Sequence, residues 1–340
     1  MPPKNGENIP GVPKNTGREA LPPLHQCINE KEVPAMIIPK PLSKGARVAL
    51  IDASGPVPEE RLAPAVASVR ALGLEPVVYP SCRRHHGYLA GYDRERAQDF
   101  NDAFADPSIE GIICIRGGYG AQRLLERIDW DTAAKNPKVF CGYSDVTILH
   151  LVLNQRCGFV TYHTPMPATE WYAGLDAYTE RSLRNTLFGV HEPEALNPPE
   201  SPMVTIAKGV CRGVLTGGNL SLIASTLGTA YEIDTKDKIL FIEEIGESPY
   251  RIDRMLLMLK QAGKLRACAG ILLGAFTDCG APEPEKSLTL REVFTELLLD
   301  EGKPILGAVQ CGHILPTMSL PLGVNASVDA TNRTLRILEY

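Results

Sequence analysis

The stretch Lys138-Val-Phe-Cys-Gly-Tyr-Ser-Asp-Val-Thr-Ile-Leu-His150 changes its period in the middle. It begins as an apolar run of strand length, breaks at Gly142, and resumes with apolar residues at helical spacing. A strand–turn–helix of this kind sets Ser144 at a helix N-terminus with its hydroxyl outward. There the free N–H groups and the positive end of the helix dipole can hold a developing oxyanion. The G-x-S-x-G nucleophile elbow has this local form, although Asp145 follows the serine here and Val146 stands in place of the second glycine. Ser, Thr and Asp are also the ordinary N-caps of helices, so these residues alone leave Ser144 open as a cap.

Upstream the same alternation repeats. Residues 48–51, 76–79, 111–115 and 139–141 read as strands, and 59–72, 94–104, 122–128 and 146–154 as helices. This rhythm predicts a largely parallel sheet covered on both faces. Right-handed crossovers would bring its strand ends to one edge, with the Arg116-Gly-Gly-Tyr-Gly120 turn beside Ser144. Downstream, a bridge at 169–202 rich in Tyr, Glu and Pro leads to expected strands at 209–215, 239–242, 270–273, 305–309 and 334–338. Helices are expected at 249–263 and 290–299. Strand 239–242 ends on Glu243-Glu244, and strand 305–309 runs into Gly312-His313. Serine, carboxylate and histidine thus each follow a strand, where open α/β sheets place their chemistry. The alternatives are a helix-entry acid for Glu243 and a surface imidazole for His313.

Composition narrows the classes. The 340 residues allow two domains and a sizeable core, and the formal charge of -5 offers no general attraction to nucleic acid or an anionic membrane. No segment approaches the ~20 uninterrupted apolar residues that span a bilayer. The nine cysteines are odd in number and scattered, without a C-x-x-C pair. That favours a reducing, cytoplasmic setting over a disulfide framework. Residues 1–43 differ from the rest: nine prolines fall between Pro2 and Pro41, with no apolar stretch of the kind a secretory signal needs. They read as an extension with little regular structure.

The Gly118-Tyr-Gly120 turn lacks the last glycine of a dinucleotide fingerprint, since Arg123 stands there, and no Lys-Ser/Thr follows for a phosphate loop. Glycine permits close backbone approach, so the turn reads instead as an oxyanion donor. The amides of Gly118 and Asp145 are the candidates, with Gly117 an alternative to Gly118. His85-His86 lacks the carboxylate or cysteine partners of a metal site, and no metal or organic cofactor is implied.

The chain as a whole resembles the LD-carboxypeptidases, a serine-peptidase family that includes murein tetrapeptide carboxypeptidases and microcin C self-immunity peptidases. The likeness is carried by residues 47–56, Gly87-Tyr-Leu-Ala-Gly91, Arg116-Gly-Gly-Tyr-Gly120, Gly142-Tyr-Ser-Asp145, Leu215-Thr-Gly-Gly-Asn-Leu220, Glu243-Glu-Ile-Gly-Glu247, Gly274-Ala-Phe-Thr-Asp278 and Gly312-His313. It covers about 45–338 and does not reach the proline-rich extension. The resemblance implies an α/β fold with an N-terminal Rossmann-like, largely parallel sheet domain (44–168) and a smaller C-terminal α/β domain (203–340). Ser144 would be the nucleophile, Glu243 the triad acid and His313 the general base, meeting in the interdomain cleft. Glu244 and Glu247 are read as structural acids.

The resemblance further implies hydrolysis of a bond between an L-centre and a C-terminal D-residue, and a homodimer. The partner is then a small peptide with a free C-terminal carboxylate. Arg116, Arg212 and Arg251 are candidates to grip that carboxylate. Trp171 and Tyr172 keep open the microcin-immunity branch, where an aromatic face would stack on a nucleobase. A non-catalytic peptide-binding module is the remaining alternative.

Overall fold

In the computed structural model, which describes residues 36–338 apart from 191 and 193, the runs ahead of Ser144 form parallel strands. They are β1 (Arg47–Ile51), β2 (Glu75–Val78), β3 (Gly111–Cys114) and β4 (Val139–Gly142), joined in the same sense by β5 (Thr161–His163). Every residue of β3 and β4 is buried, which is why both read as unbroken apolar runs. The crossovers carry α1 (Glu59–Ala71), α2 (Asp93–Ala105), α3 (Trp130–Lys135) and α4 (Thr147–Val152). Phe100 and Phe104 of α2 pack edge-on or stacked with Phe140 of β4, so one face of the sheet is closed by aromatic contact.

The bridge contains a helix, α5 (Ala177–Phe188), whose first turn is capped by Asp176 accepting the Thr179 N–H at 2.9 Å. Beyond it come β6 (Glu194–Ala195), β7 (Val204–Ala207), β8 (Val210–Asn219), β9 (Ile239–Ile245), β10 (Gly270–Thr277) and β11 (Ile305–Gly307). The last three strands are β12 (Leu320–Leu322), β13 (Asn325–Asp329) and β14 (Thr334–Ile337). Strands β8 to β11 are parallel neighbours, flanked on both sides by antiparallel strands in an eight-stranded sheet. The C-terminal half, expected to be the smaller, carries the wider sheet.

One strand crosses over. β12 does not join the second sheet but pairs antiparallel with β5, with Leu320 opposite His163, and becomes the sixth strand of the first sheet. The chain then returns to the second sheet as β13. A buried apolar cluster runs without a break from Val48 and Cys141 through Tyr162 and Leu320 to Phe241 and Leu215, so both sheets share one core.

Two expected helices are shorter than their periodicity. Residues 122–128 hold only a 3₁₀ turn at Ala121–Leu124, and the helix after Ser144 passes at Val152 into a π-turn (Leu153–Cys157) that ends on left-handed Gly158. Residues 1–35 of the proline-rich extension lie outside the described residues. The rest of it, 36–43, runs along the first sheet: Ile37 donates to Gly158 and receives the Val160 N–H, and Leu42 donates to Leu187, all at 2.9 Å. Among the described residues no helix is long and apolar enough to cross a membrane. The eight described cysteines are buried and form no disulfide.

Candidate active site

Ser144 is separated from the end of β4 by one residue, Tyr143, and holds φ at +65°, a left-handed conformation that costs an L-residue about 1–3 kcal/mol. Glycines surround the turn because nothing larger fits. A Cβ on Gly142 would lie 3.0 Å from Val146 Cγ1 and 3.1 Å from Cys114 Cβ; one on Gly117 would lie 2.9 Å from Ser144 Cβ and 3.1 Å from its Oγ. The Gly-rich turn therefore presses against the serine hydroxyl, as the sequence anticipated. The buried Asp145 carboxylate fixes it there by accepting the Ala121 N–H at 2.8 Å and the Ser54 hydroxyl at 2.7 Å.

Glu243 comes from a regular strand. Neighbouring side chains of β9 face opposite ways, so Glu243 and Glu244 diverge. Glu243, wholly buried, accepts His313 Nδ1–H at 2.7 Å, and His313 Nε2 lies 3.0 Å from Ser144 Oγ. Glu244 is saturated elsewhere by the Asn219 amide at 2.9 Å and by the Ser221 N–H and hydroxyl at 2.8 and 2.7 Å. Glu247 pairs with Arg251 at 3.2 Å. A bulge in β10 opposite Glu243 lets the Ala275 N–H reach the Cys311 carbonyl at 2.9 Å, which seats the loop ahead of His313. Gly312 in that loop, at φ +113°, leaves no room for a side chain: its Cβ would stand 2.7 Å from Glu243 Oε2. The Asn219 N–H, at the end of β8, donates to Thr147 Oγ1 of α4 at 3.0 Å, tying the two sheets together beside the site.

Electrostatics poise the imidazole. Burial pushes the His313 pKa down, but the hydrogen bond and charge of Glu243, backed by Glu170 and Glu244, outweigh it and hold the pKa above the ordinary 6.5. The other two histidines near the site are buried and neutral. Burial lowers His150, whose Nε2 meets the Gly142 carbonyl at 2.9 Å, to about 4, and takes His163 well below its usual range.

The remaining candidates separate. Arg116 stands beside the Gly-rich turn, donating to the Pro56 carbonyl at 2.6 Å and to the Gly117 carbonyl at 3.1 Å, with Nη2 3.9 Å from a Gly118 Cβ. Arg251 is exposed on α6 (the second-half helix Pro249–Gln261) and donates to the Tyr250 hydroxyl at 3.0 Å. Arg212 lies near the start of β8, opposite Ser327 and seven residues from Asn219, hence about 23 Å along the strand from the site end. Trp171 does not offer a stacking face. It is buried in the shared core, while Tyr172 stacks under the Arg61 guanidinium at 4.7 Å. Tyr and Trp in a polar bridge signal exposure only until a helix such as α1 covers them. Of the His85-His86 pair, His86 lies against the Tyr92 ring at 4.2 Å.

Two residues at the site carry no signal in sequence spacing. Tyr143, just before the serine, packs its ring on His313 with centroids 4.6 Å apart, and its hydroxyl donates to Glu170 at 2.6 Å. Only the fold brings Glu170, from the bridge, to that place.

Residues 48–164 match the LD-carboxypeptidase N-terminal domain and residues 212–328 the LD-carboxypeptidase C-terminal domain, which makes the protein a peptidase. The chain is 41% identical over 300 residues to the probable murein peptide carboxypeptidase of Bacillus subtilis, covering 87% of this chain and 92% of that one. It is 30% identical over 281 residues to the microcin C7 self-immunity protein MccF of Escherichia coli, covering 74% and 80%. Among solved structures, the muramoyltetrapeptide carboxypeptidase of Oxalobacter formigenes superposes with a TM-score of 0.76 at 29% identity, over 86% of this chain and 99% of that one. MccF in complex with aspartyl sulfamoyl adenosine gives 0.82 at 25% identity, over 89% and 99%. The chain belongs to the LD-carboxypeptidase family.

Proposed function

We propose that the protein is a serine carboxypeptidase that cleaves an L-to-D peptide bond and releases a C-terminal D-amino acid such as D-Ala from a murein tetrapeptide. The observation that carries this reading is the file of contacts Glu243–His313–Ser144, at 2.7 and 3.0 Å. In this mechanism His313 Nε2 takes the proton of Ser144 Oγ as the oxygen attacks the scissile carbonyl carbon. Glu243 holds the Nδ1–H tautomer and stabilises the imidazolium. The oxyanion is received by the amides of Gly118 and Asp145, a role favoured by the close approach of the Gly-rich turn to Oγ. His313 then protonates the departing amine, and water releases the acyl group by the reverse proton path.

The two α/β halves, 44–168 and 203–340, would each supply part of this site, with 169–202 joining them. Of the cations, Arg116 and Arg251 are retained for the substrate carboxylate, and Arg212 is set aside by its distance. The burial of Trp171 weighs against an adenylate-directed reading, since the stacking face that favoured it is inside the core. The test is turnover of an LD-tetrapeptide, its C-terminal amide, and LL- and DL-peptides beside an acyl-sulfamoyl adenylate. Preference for the free LD-acid is expected. Equal kcat/KM for acid and amide would overturn the carboxypeptidase reading.

A further inference from the structure

Glu243 is not the only carboxylate that bears on His313. On the flank of the imidazole lies the ring of Tyr143, almost wholly buried, tilted 53° with centroids 4.6 Å apart. The phenol donates to Glu170 Oε1 at 2.6 Å, while Glu170 Oε2 accepts the Met166 N–H at 2.7 Å. Glu170 follows β5 in the turn that leads into the 3₁₀ segment Trp171–Ala173. A partly buried carboxylate with two donors and a phenol wedged against the base form a second chain of contacts, converging on His313 from the first sheet. Glu243 arrives from the second.

We propose that Tyr143 and Glu170 are a positioning pair for His313: the carboxylate anchors the phenol, the phenol ring sets the plane of the imidazole, and the carboxylate adds negative charge facing the imidazolium. The proposal rests on the reading of Ser144, His313 and Glu243 as the reacting unit. The groups that face His313 are Glu243 and, on the other side of β9, Glu244; Glu170 from its turn; and His163 from β5, whose ring lies 5.4 Å from Tyr143. His163 is neutral by burial, and the Tyr143 hydroxyl, pushed up by burial and by Glu170, keeps its proton and remains a donor. Burial leaves the Glu170 carboxyl above its ordinary range, against the opposing pull of the Tyr143 hydroxyl and the Met166 amide. The charge that varies with this pair is therefore that of Glu170.

The experiment follows the rate at which a fluorophosphonate labels Ser144 in the full chain as a function of pH, which needs no knowledge of the peptide substrate. Labelling should rise as His313 loses its proton. In Glu170→Gln the midpoint should move to lower pH, because a negative charge facing the imidazolium is gone. The plateau rate should fall on the order of tenfold, within the 10²–10⁴-fold that a general base supplies. Tyr143→Phe, which keeps the ring, should lower the plateau, and the double variant should label no more slowly than the slower single one. A role in packing alone would lower the melting temperature and leave the midpoint in place. A folded Glu170→Gln protein with the wild-type midpoint overturns the proposal. If that variant does not fold, a wild-type plateau in Tyr143→Phe overturns it as well. Failure of the wild-type protein to label at all would bring down the nucleophile reading itself, and this pair with it.

Discussion

At the end of β4 the chain leaves the region that L-residues prefer, and Ser144 sits at φ +65° between glycines that have no room for a side chain. At the end of β9 it stays in regular strand to Ile245, and Glu243 and Glu244 part by alternation alone. The serine is placed by local backbone strain; the acid is placed by register and burial. Each mode has its own weakness. A strained turn is sensitive to what surrounds a single Cα, whereas a register fails when one side chain is turned to the wrong face.

The largest expected effects test whether the two ends act as one unit. Ser144→Ala and His313→Ala should each lower kcat by about 10⁴-fold or more with the circular dichroism spectrum unchanged, and Glu243→Ala added to Ser144→Ala should cost little further. Wild-type turnover in folded Ser144→Ala would rule out Ser144 as the nucleophile. Gly312→Ala comes next. Its methyl would meet Glu243 at a backbone conformation unsuited to alanine, so kcat should fall on the order of 10²-fold, with a loss of about 1–3 kcal/mol in denaturant titrations.

Glu244→Ala separates register from chemistry. It strips buried donors of their acceptor and should destabilise by about 2–3 kcal/mol, leaving kcat of the folded fraction near wild type. A crippled Glu244→Ala enzyme beside a mild Glu243→Ala one would reverse the assignment of the acids. At the other end, Ser144→Gly should abolish turnover yet unfold at higher denaturant, by roughly 0.5–1 kcal/mol, because glycine tolerates positive φ. The smallest effect is in pH. Because the surrounding acids hold the His313 pKa above 6.5, and the base works when deprotonated, kcat/KM should rise through a midpoint above 6.5. A midpoint below 6.5 would show that burial prevails over Glu243.

Much of this arrangement is legible in the chain. The central strands are apolar at every position because they are covered on both faces, and the three residues at strand ends are found within hydrogen-bond reach. What is not legible depends on distance in space. β12 is three residues long with Pro321 at its centre, too short for any period to register, and its partner β5 is as short. Arg212 reads like the other arginines until β8 is seen to run ten residues and carry it to the far end. Glu170 and Trp171 are adjacent in sequence and meet opposite fates, one turned to Tyr143 and the other into the core, which no hydrophobicity pattern in the bridge distinguishes.

The return of β12 to the first sheet bears on the order of synthesis. When residues up to about 170 have left the ribosome, the parallel strands β1 to β5 are all present, with β5 at one edge offering unpaired N–H and C=O groups to any passing strand. That edge is covered only by residues 320–322, and the strand they form then becomes the edge, with Pro321 at its centre lacking an N–H to offer. His313 lies just ahead of β12, so its imidazole reaches Ser144 only at about the stage when the β5 edge is covered. A chain built this way brings the Ser144 and His313 side chains together only when the strand that covers its β5 edge has also been made, so the two events are linked during synthesis.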